Sequence, residues 1–338
     1  MRGYRVTGTD GLDSLSVVDL PQPSCGPGEV LVRMTAASLN YRDLGILRGG
    51  YARNDRNPVI PLSDGAGVVE AIGDGVSAFA VGDRVHGLFV QGWQDGPPTD
   101  AALRTSLGGS IDGVLRERMT FPETGLLPTP ENWTDEEAAC IPCAAVTAWH
   151  ALFGHRSLTA NDTVLLLGTG GVSMFALQLA KATGARVIQT SSSDEKLATA
   201  RQHEADETIN YRDTPDWAAA VRERTDQRGV DFVVEVGGPG TLGQSLQAIA
   251  VGGQISLIGV LDDPRGTVNP LPAMFNVASI QGIYVGSRSM HEQCIADLTK
   301  HGLKPLIDRT FPFDETHNAF TYFKSQQHIG KVVIRIAS

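Results

Sequence analysis

The stretch from Thr163 to Lys196 holds the residues of this chain whose types and spacing most readily do chemistry. It reads Thr-Val-Leu-Leu-Leu-Gly-Thr-Gly-Gly-Val-Ser, continues as an apolar helical run to Gly184, and resumes as Ala-Arg-Val-Ile-Gln-Thr-Ser-Ser-Ser-Asp-Glu-Lys. Strand, glycine turn, helix and second strand follow in the order that lays a dinucleotide pyrophosphate on a helix N-terminus. Gly168 permits the tight turn after the strand, and Gly170 leaves room for backbone to approach a phosphate. Gly171 and Val172 open the helix. Ser173 stands where a third glycine is usual, small enough for close helix–strand packing. An ordinary βα turn shares the glycines but does not demand the flanking order.

The surrounding pattern predicts the elements that would position such a site. From Arg2 to about Pro122 the chain reads as short strands with frequent turns, including Glu29-Val-Leu-Val-Arg-Met and the small-residue strand from Gly65 to Gly75. From Thr134, helices alternate with apolar strands at Val164–Leu167, Arg186–Thr190, Glu207–Ile209, Phe232–Glu235, Gln254–Ile258 and Ile280–Val285. Such alternation predicts an α/β fold with a doubly wound parallel sheet. Residues from Lys304 return to short strands around one amphipathic helix, Asp314 to Lys324, and end in the strand Lys331-Val-Val-Ile-Arg-Ile. This last segment is expected to complete the first domain.

Composition narrows the function classes. A length of 338 residues suggests about two domains. A net charge of −10, without a block of basic residues, argues against nucleic acid as a partner. No apolar run approaches a membrane span, and the N-terminus lacks a secretory pattern. Four scattered cysteines suit a reducing cytoplasm, the expected location. Cys140 and Cys143 could suggest metal or redox chemistry, but apolar neighbours favour two buried, inert thiols.

Several ordered motifs then resemble the medium-chain dehydrogenase/reductase superfamily over nearly the whole chain. They are Ser38-Leu-Asn-Tyr-Arg-Asp, Gly49-Gly-Tyr, Pro61-Leu-Ser-Asp-Gly-Ala-Gly-Val-Val, Gly82-Asp-Arg-Val, Ala144-Ala-Val-Thr-Ala-Trp, the glycine turn and Ile209-Asn-Tyr-Arg. The resemblance implies a GroES-like catalytic domain over residues 1–126 and 301–338, and a Rossmann domain over 127–300. In zinc-dependent members a cysteine, a histidine and a second cysteine hold a catalytic metal. The matching positions here are Asn40, Ser63 and Cys143, and the structural-zinc lobe, Gln91 to Arg118, has no cysteine. Zinc requires thiolate, imidazole or carboxylate ligands, so no metal is expected.

What remains resembles the zinc-free quinone oxidoreductase and enoyl reductase branch. The implied activity is hydride transfer to a conjugated enone, activated alkene or quinone, with a small molecule as substrate and a homodimer as the assembly. An alcohol or aldehyde dehydrogenase, or an NADPH-binding protein of low turnover, are the alternatives.

NADPH is the expected cofactor. The end of the second Rossmann strand carries Thr190, Ser191 and Ser192 rather than an acid. The resemblance assigns Lys196 and Tyr211 to the 2′-phosphate; Asp194 is the competing candidate, as an acid selecting NAD. For the nicotinamide end the resemblance nominates Thr147, Gly259, Val260, Val285 and Ser287, with Lys331 as a further cofactor contact or a solvated turn lysine. Tyr51 is nominated as proton donor, with Tyr41 and Arg42 contributing through a polar cleft, Asn40 hydrogen-bonding the cofactor ribose or the substrate, and Asp43 ordering their loop. None of the eight histidines falls at a motif position, and each is expected to be a surface or satisfied polar residue.

Overall fold

The structure, a computed structural model, describes residues 1–50, 56–259 and 266–337. The chain forms two compact units, one of Met1–Val146, Val285–Thr299 and Lys304–Ser338, the other of Thr147–Tyr284 and Lys300–Leu303.

The first unit opens with an antiparallel pair, β1 (Arg2–Val6) and β2 (Leu15–Asp19). Strand β3 (Glu29–Ser38) buries Val30, Val32 and Met34 on alternate positions, as a strand with one core face should. Helix α1 (Tyr41–Leu47) follows, then β4 (Asp64–Ile72), β5 (Arg84–Gly87), α2 (Asp100–Leu103), β6 (Arg118–Pro122), β7 (Leu126–Pro128) and α3 (Asp135–Ala138). Strands β3 and β4 pair antiparallel with register shifts after Leu31 and Met34, which bend the ribbon. The small residues of β4 have a steric cause at Gly67, where a Cβ would lie 2.1 Å from the Arg33 carbonyl oxygen.

The second unit is entered through α4 (Val146–Phe153) and contains β8 (Thr163–Leu167), α5 (Gly171–Thr183), β9 (Arg186–Ser191), α6 (Asp194–Gln202), β10 (Glu207–Asn210), α7 (Trp217–Arg224), β11 (Val230–Glu235), α8 (Pro239–Ala248), β12 (Ile249–Leu257), α9 (Leu271–Phe275) and β13 (Ser279–Gly282). Its six strands are parallel in the order β10-β9-β8-β11-β12-β13. The central strand β8 is buried along its whole length, as expected where helices cover both sheet faces. The order reverses beside β8, which puts the glycine turn at the topological switch point where open α/β sheets bind ligands.

The chain then returns to the first unit with α10 (Arg288–Lys300), β14 (Ile307–Pro312), α11 (Thr316–Lys324) and β15 (Lys331–Arg335). Strand β15 pairs antiparallel with β3, in a sheet ordered β14-β15-β3-β4-β5-β7 with β6 also on β3.

The compact units divide at 146/147, 284/285, 299/300 and 303/304. The segment after β7 stays with the first unit because Thr35 Oγ1 donates to Asp135 at 2.7 Å and Ser38 Oγ donates to the Ala139 carbonyl at 2.8 Å. Helix α10 stays there because the Arg288 guanidinium donates to the carbonyls of Thr124 and Leu126. The strand expected over Ile280–Val285 ends at Gly282, and Val285 adopts φ +53°, a left-handed conformation incompatible with a strand.

Candidate active site

In the second unit, Gly168 leaves β8 with φ +73°, and Gly170 caps α5 in extended conformation without a side-chain cap. A Cβ at either glycine would meet no atom within 4 Å, so open space lies over the turn. The first N–H groups of α5, from Gly171 and Val172 on, therefore have no side-chain cap, an arrangement suited to a pyrophosphate. Ser173 Oγ donates to the Leu167 carbonyl at 2.7 Å, locking helix to strand where a third glycine is usual. Gln189 Nε2 donates to the Gly168 carbonyl at 2.8 Å and steadies the turn.

The end of β9 brings together most residues nominated for the 2′-phosphate. Asn210 pairs in register with Ser191, and the Tyr211 N–H donates to the Ser191 carbonyl at 3.0 Å. Ser191 is buried, Ser192 and Lys196 are half-buried, and the Tyr211 side chain is exposed. Thr147, buried, lies at the start of α4, and Gly259 follows β12 where a Cβ would lie 2.6 Å from the Val236 carbonyl oxygen. Gly168, Ser191 and Gly259 stand at or just past the C-terminal ends of β8, β9 and β12. Val285, Ser287 and Lys331 belong to the other compact unit. Val260 and Tyr51 lie outside the described residues.

In the first unit a buried polar cluster occupies the positions matching metal ligands. Lys331 is 2% exposed, so it is not a solvated turn lysine. Its Nζ donates to Asn40 Oδ1 at 2.7 Å and to the Leu39 carbonyl at 2.8 Å, and lies 3.8 Å from Asp64 Oδ2. Asp64, fully buried, accepts from Ser63 Oγ at 2.7 Å and from the Cys143 N–H at 3.1 Å. Asn40 begins α1, its own N–H donating to Asp43 Oδ2 at 2.7 Å, while its Nδ2 is buried without a partner. Burial raises the Asp43 carboxyl to about 6, against the pull of neighbouring Arg42. Tyr41, half-buried, packs against the core of this unit, and Arg42 is committed to the Leu107 carbonyl and the face of Phe89.

This set does not fit a zinc ion. Asn40 and Ser63 offer neutral amide and hydroxyl groups, and desolvation raises the Cys143 thiol far above its usual range. Among the described residues no three His, Cys, Asp or Glu side chains are grouped to hold a metal. Burial likewise pushes Cys140 up to about 12; Cys140 is buried as expected, whereas Cys143 is half-buried.

Sequence reasoning missed one feature of this unit. His86 on β5 and His291 on α10 are buried with their Nε2 atoms 3.1 Å apart. Burial lowers His86 to about 3 and His291 well below its usual range. Nothing in the local sequence at either position marks them as interior residues.

Fold and site define a dinucleotide-dependent oxidoreductase with a β-rich companion unit. The comparisons agree with that class. Residues 26–131 match the family described as alcohol dehydrogenase GroES-like domain, and residues 171–300 that described as zinc-binding dehydrogenase. A zinc-type alcohol dehydrogenase-like protein of Schizosaccharomyces pombe is 45% identical, with 96% of each chain covered. An acryloyl-coenzyme A reductase of Sulfurisphaera tokodaii is 29% identical over 94% of this chain and 95% of its own. A quinone oxidoreductase of Rattus norvegicus is 28% identical over 99% and 97%. Among solved structures, a putative alcohol dehydrogenase of Sinorhizobium meliloti superposes with a TM-score of 0.91 at 40% identity, covering 99% of both chains. An NAD-dependent alcohol dehydrogenase gives 0.90 at 33%, covering 100% of both. A mycobacterial protein complexed with NADPH gives 0.85 at 28%, covering 99% and 100%. The chain belongs to the medium-chain dehydrogenase/reductase superfamily, whose members are NAD(P)-dependent oxidoreductases.

Proposed function

We propose that this protein is an NADPH-dependent reductase of conjugated enones, activated alkenes or quinones that works without a metal. One observation carries the reading. The side chains at the metal-ligand positions are neutral or already hydrogen-bonded, and a buried ammonium, Lys331, stands among them.

When bound, NADPH supplies the hydride. A conjugated carbonyl accepts the resulting charge by delocalisation, so reduction needs one later proton and no Lewis acid. Asn40 Nδ2, a buried donor without a partner, is suited to hydrogen-bond the substrate oxygen or a cofactor hydroxyl. Tyr51 is assigned the proton. Lys331 fixes the Asn40 amide through its oxygen and adds positive charge beside it. Oxidising a simple alcohol would instead require removal of a hydroxyl proton, which metal coordination makes easier by lowering the oxygen pKa.

Lys196, Tyr211, Ser191 and Ser192 are assigned to the 2′-phosphate, and Thr147, Gly259, Val260, Val285 and Ser287 to the nicotinamide half. The exposed apolar residues Leu271, Met274, Phe275, Val277 and Ile280 flank the open edge of β13. We assign this edge to a homodimer, since pairing would cover both the strand and the apolar side chains. Among the described residues no helix is long and apolar enough to cross a membrane. A cytoplasmic setting is part of the reading, and the four cysteines are free.

The names of the more similar relatives favour a second reading, an alcohol dehydrogenase. A screen of NADPH oxidation over enones, quinones, enoyl thioesters and aldehydes, with and without chelator, separates the two. Chelator-insensitive turnover of an enone or quinone is expected. Ready turnover of simple alcohols with no reduction of any enone or quinone would defeat the proposal, as would stoichiometric zinc on which activity depends.

A further inference from the structure

Glu235, the last residue of β11, is fully buried, and its carboxyl group accepts hydrogen bonds from four donors. Its Oε1 accepts from the Gly237 N–H at 2.8 Å, the Gly238 N–H at 3.0 Å and the Thr241 hydroxyl, and its Oε2 from the Ser245 hydroxyl. Thr241 and Ser245 stand one turn apart on α8, so one side chain fastens both the β11–α8 turn and the helix behind it. Gly238 takes φ +87° in that turn, a conformation open to glycine and strained for other residues. The main chain of Glu235 holds the facing segment: its carbonyl oxygen accepts from the Ile258 N–H at 2.9 Å and the Gly259 N–H at 3.4 Å. The two segments border a cavity of about 450 Å³ past the carboxyl ends of β11, β12 and β13. Gly238, Pro239, Leu242, Ile258, Gly259 and Ile283 are among the residues that line it.

We propose that Glu235 is a positioning residue for the nicotinamide half of the cofactor, holding the β11–α8 turn and the segment after β12 as walls of its cavity. The inference rests on the NADPH reading above. In that reading the pyrophosphate lies on the glycine turn after β8 and the 2′-phosphate at the end of β9. A dinucleotide spans the switch point, so its other half crosses to the opposite side of β8, over β11 to β13. The cavity lies on that side, and walls of Pro239, Leu242, Ile258 and Ile283 suit the faces of a flat ring. With its oxygens occupied by the turn and helix, Glu235 acts on the ring through backbone. Without it, two buried N–H groups lose their acceptor and the turn has nothing to hold it closed.

Calorimetric titration with NADPH and with adenosine 2′,5′-bisphosphate, which lacks the nicotinamide half, tests it. The proteins are the unaltered chain, Glu235→Ala, Glu235→Gln and Thr241→Val. Glu235→Ala should weaken NADPH by about tenfold, the size of an unmade buried hydrogen bond, and change the bisphosphate by less than about twofold. Glu235→Gln should restore most of the NADPH affinity, because its oxygen accepts from the two glycines while its nitrogen donates to Ser245. Equal weakening of both ligands by Glu235→Ala would show a merely structural role and overturn the proposal. So would NADPH affinity left unchanged, or a Gln variant as weak as the Ala variant. If Glu235→Ala does not fold, Thr241→Val, which withdraws one donor, should show the same split at about threefold, and equal losses there would overturn the proposal. The unaltered protein judges the NADPH reading by itself. A chain that binds NADH and AMP in place of these ligands refutes that reading, and the role of Glu235 is then read from the same comparison with that pair.

Discussion

Lys331 Nζ lies 2.7 Å from the side-chain oxygen of Asn40, a contact between residues 291 positions apart in the chain. It is buried, and it shares its surroundings with the fully buried Asp64. Antiparallel pairing of β15 with β3 creates it, because Lys331 opens one strand and Asn40 follows the end of the other.

Removing either charge alone should therefore be costly. Lys331→Met leaves Asp64 buried without its cationic neighbour and should lower unfolding free energy by about 3–5 kcal/mol in chemical denaturation. Combining it with Asp64→Asn should recover most of the loss. Additive losses in the double variant would show that the two side chains do not act as a pair.

Lys196→Ala tests the phosphate assignment. A charge-assisted phosphate contact contributes about 1.5–3 kcal/mol, so NADPH should bind roughly tenfold or more weakly while NADH hardly changes. Titration calorimetry with both nucleotides gives the answer, and equal losses for the two would refute the role.

Tyr51→Phe addresses proton delivery. General-acid assistance typically contributes about 10²–10⁴-fold, so turnover with an enone should fall within that range while NADPH affinity stays nearly constant. Full retained activity would transfer the role to water or Tyr41.

The histidine pair sets a pH dependence with a definite sign. His86 has its folded value lowered to about 3, so the unfolded chain takes up a proton first as pH falls. The contribution of His86 is complete above the unfolded value, about 6.5, and is lost as pH drops from there toward 3, and that of His291 is lost in the same direction. His86 contributes a slope of up to about 1.4 kcal/mol per pH unit within that window. Urea midpoints between pH 7.5 and 5 should fall more steeply for the unaltered protein than for a His86→Leu, His291→Leu double variant. Parallel curves would remove the pair from the account.

The open edge of β13 yields a prediction of assembly. Light scattering at micromolar concentration should report twice the 36.0 kDa chain mass, and Phe275→Asp with Ile280→Lys should shift it to one chain. A single-chain mass for the unaltered protein would refute the homodimer.

The six parallel strands and the glycine turn were legible because each is a local pattern: apolar runs at regular intervals, and glycines where backbone must turn or be approached. Asn40 and Lys331 were legible as separate candidates, but their contact was not, since it depends on a strand pairing that spans almost the whole chain. His86 and His291, 205 positions apart, were read as surface or satisfied polar residues; only the packing of α10 on the β-rich unit buries them together. The last Rossmann strand was drawn too long because Ile283, Tyr284 and Val285 have strand-forming side chains. The left-handed backbone at Val285 has no counterpart in residue preference.

The division of the first unit across the chain imposes an order on its making. A ribosome releases β3 long before β15, whose residues lie beyond the whole six-stranded sheet. Until then one edge of β3 toward its final neighbour stays open, and the Asp64 carboxylate waits for its ammonium. The second unit, contiguous apart from four residues supplied by Lys300–Leu303, can mature first. A nascent chain stalled near residue 300 would therefore carry a nearly finished second unit and an unfinished first sheet, and that is the stage at which chaperone contact and aggregation should concentrate.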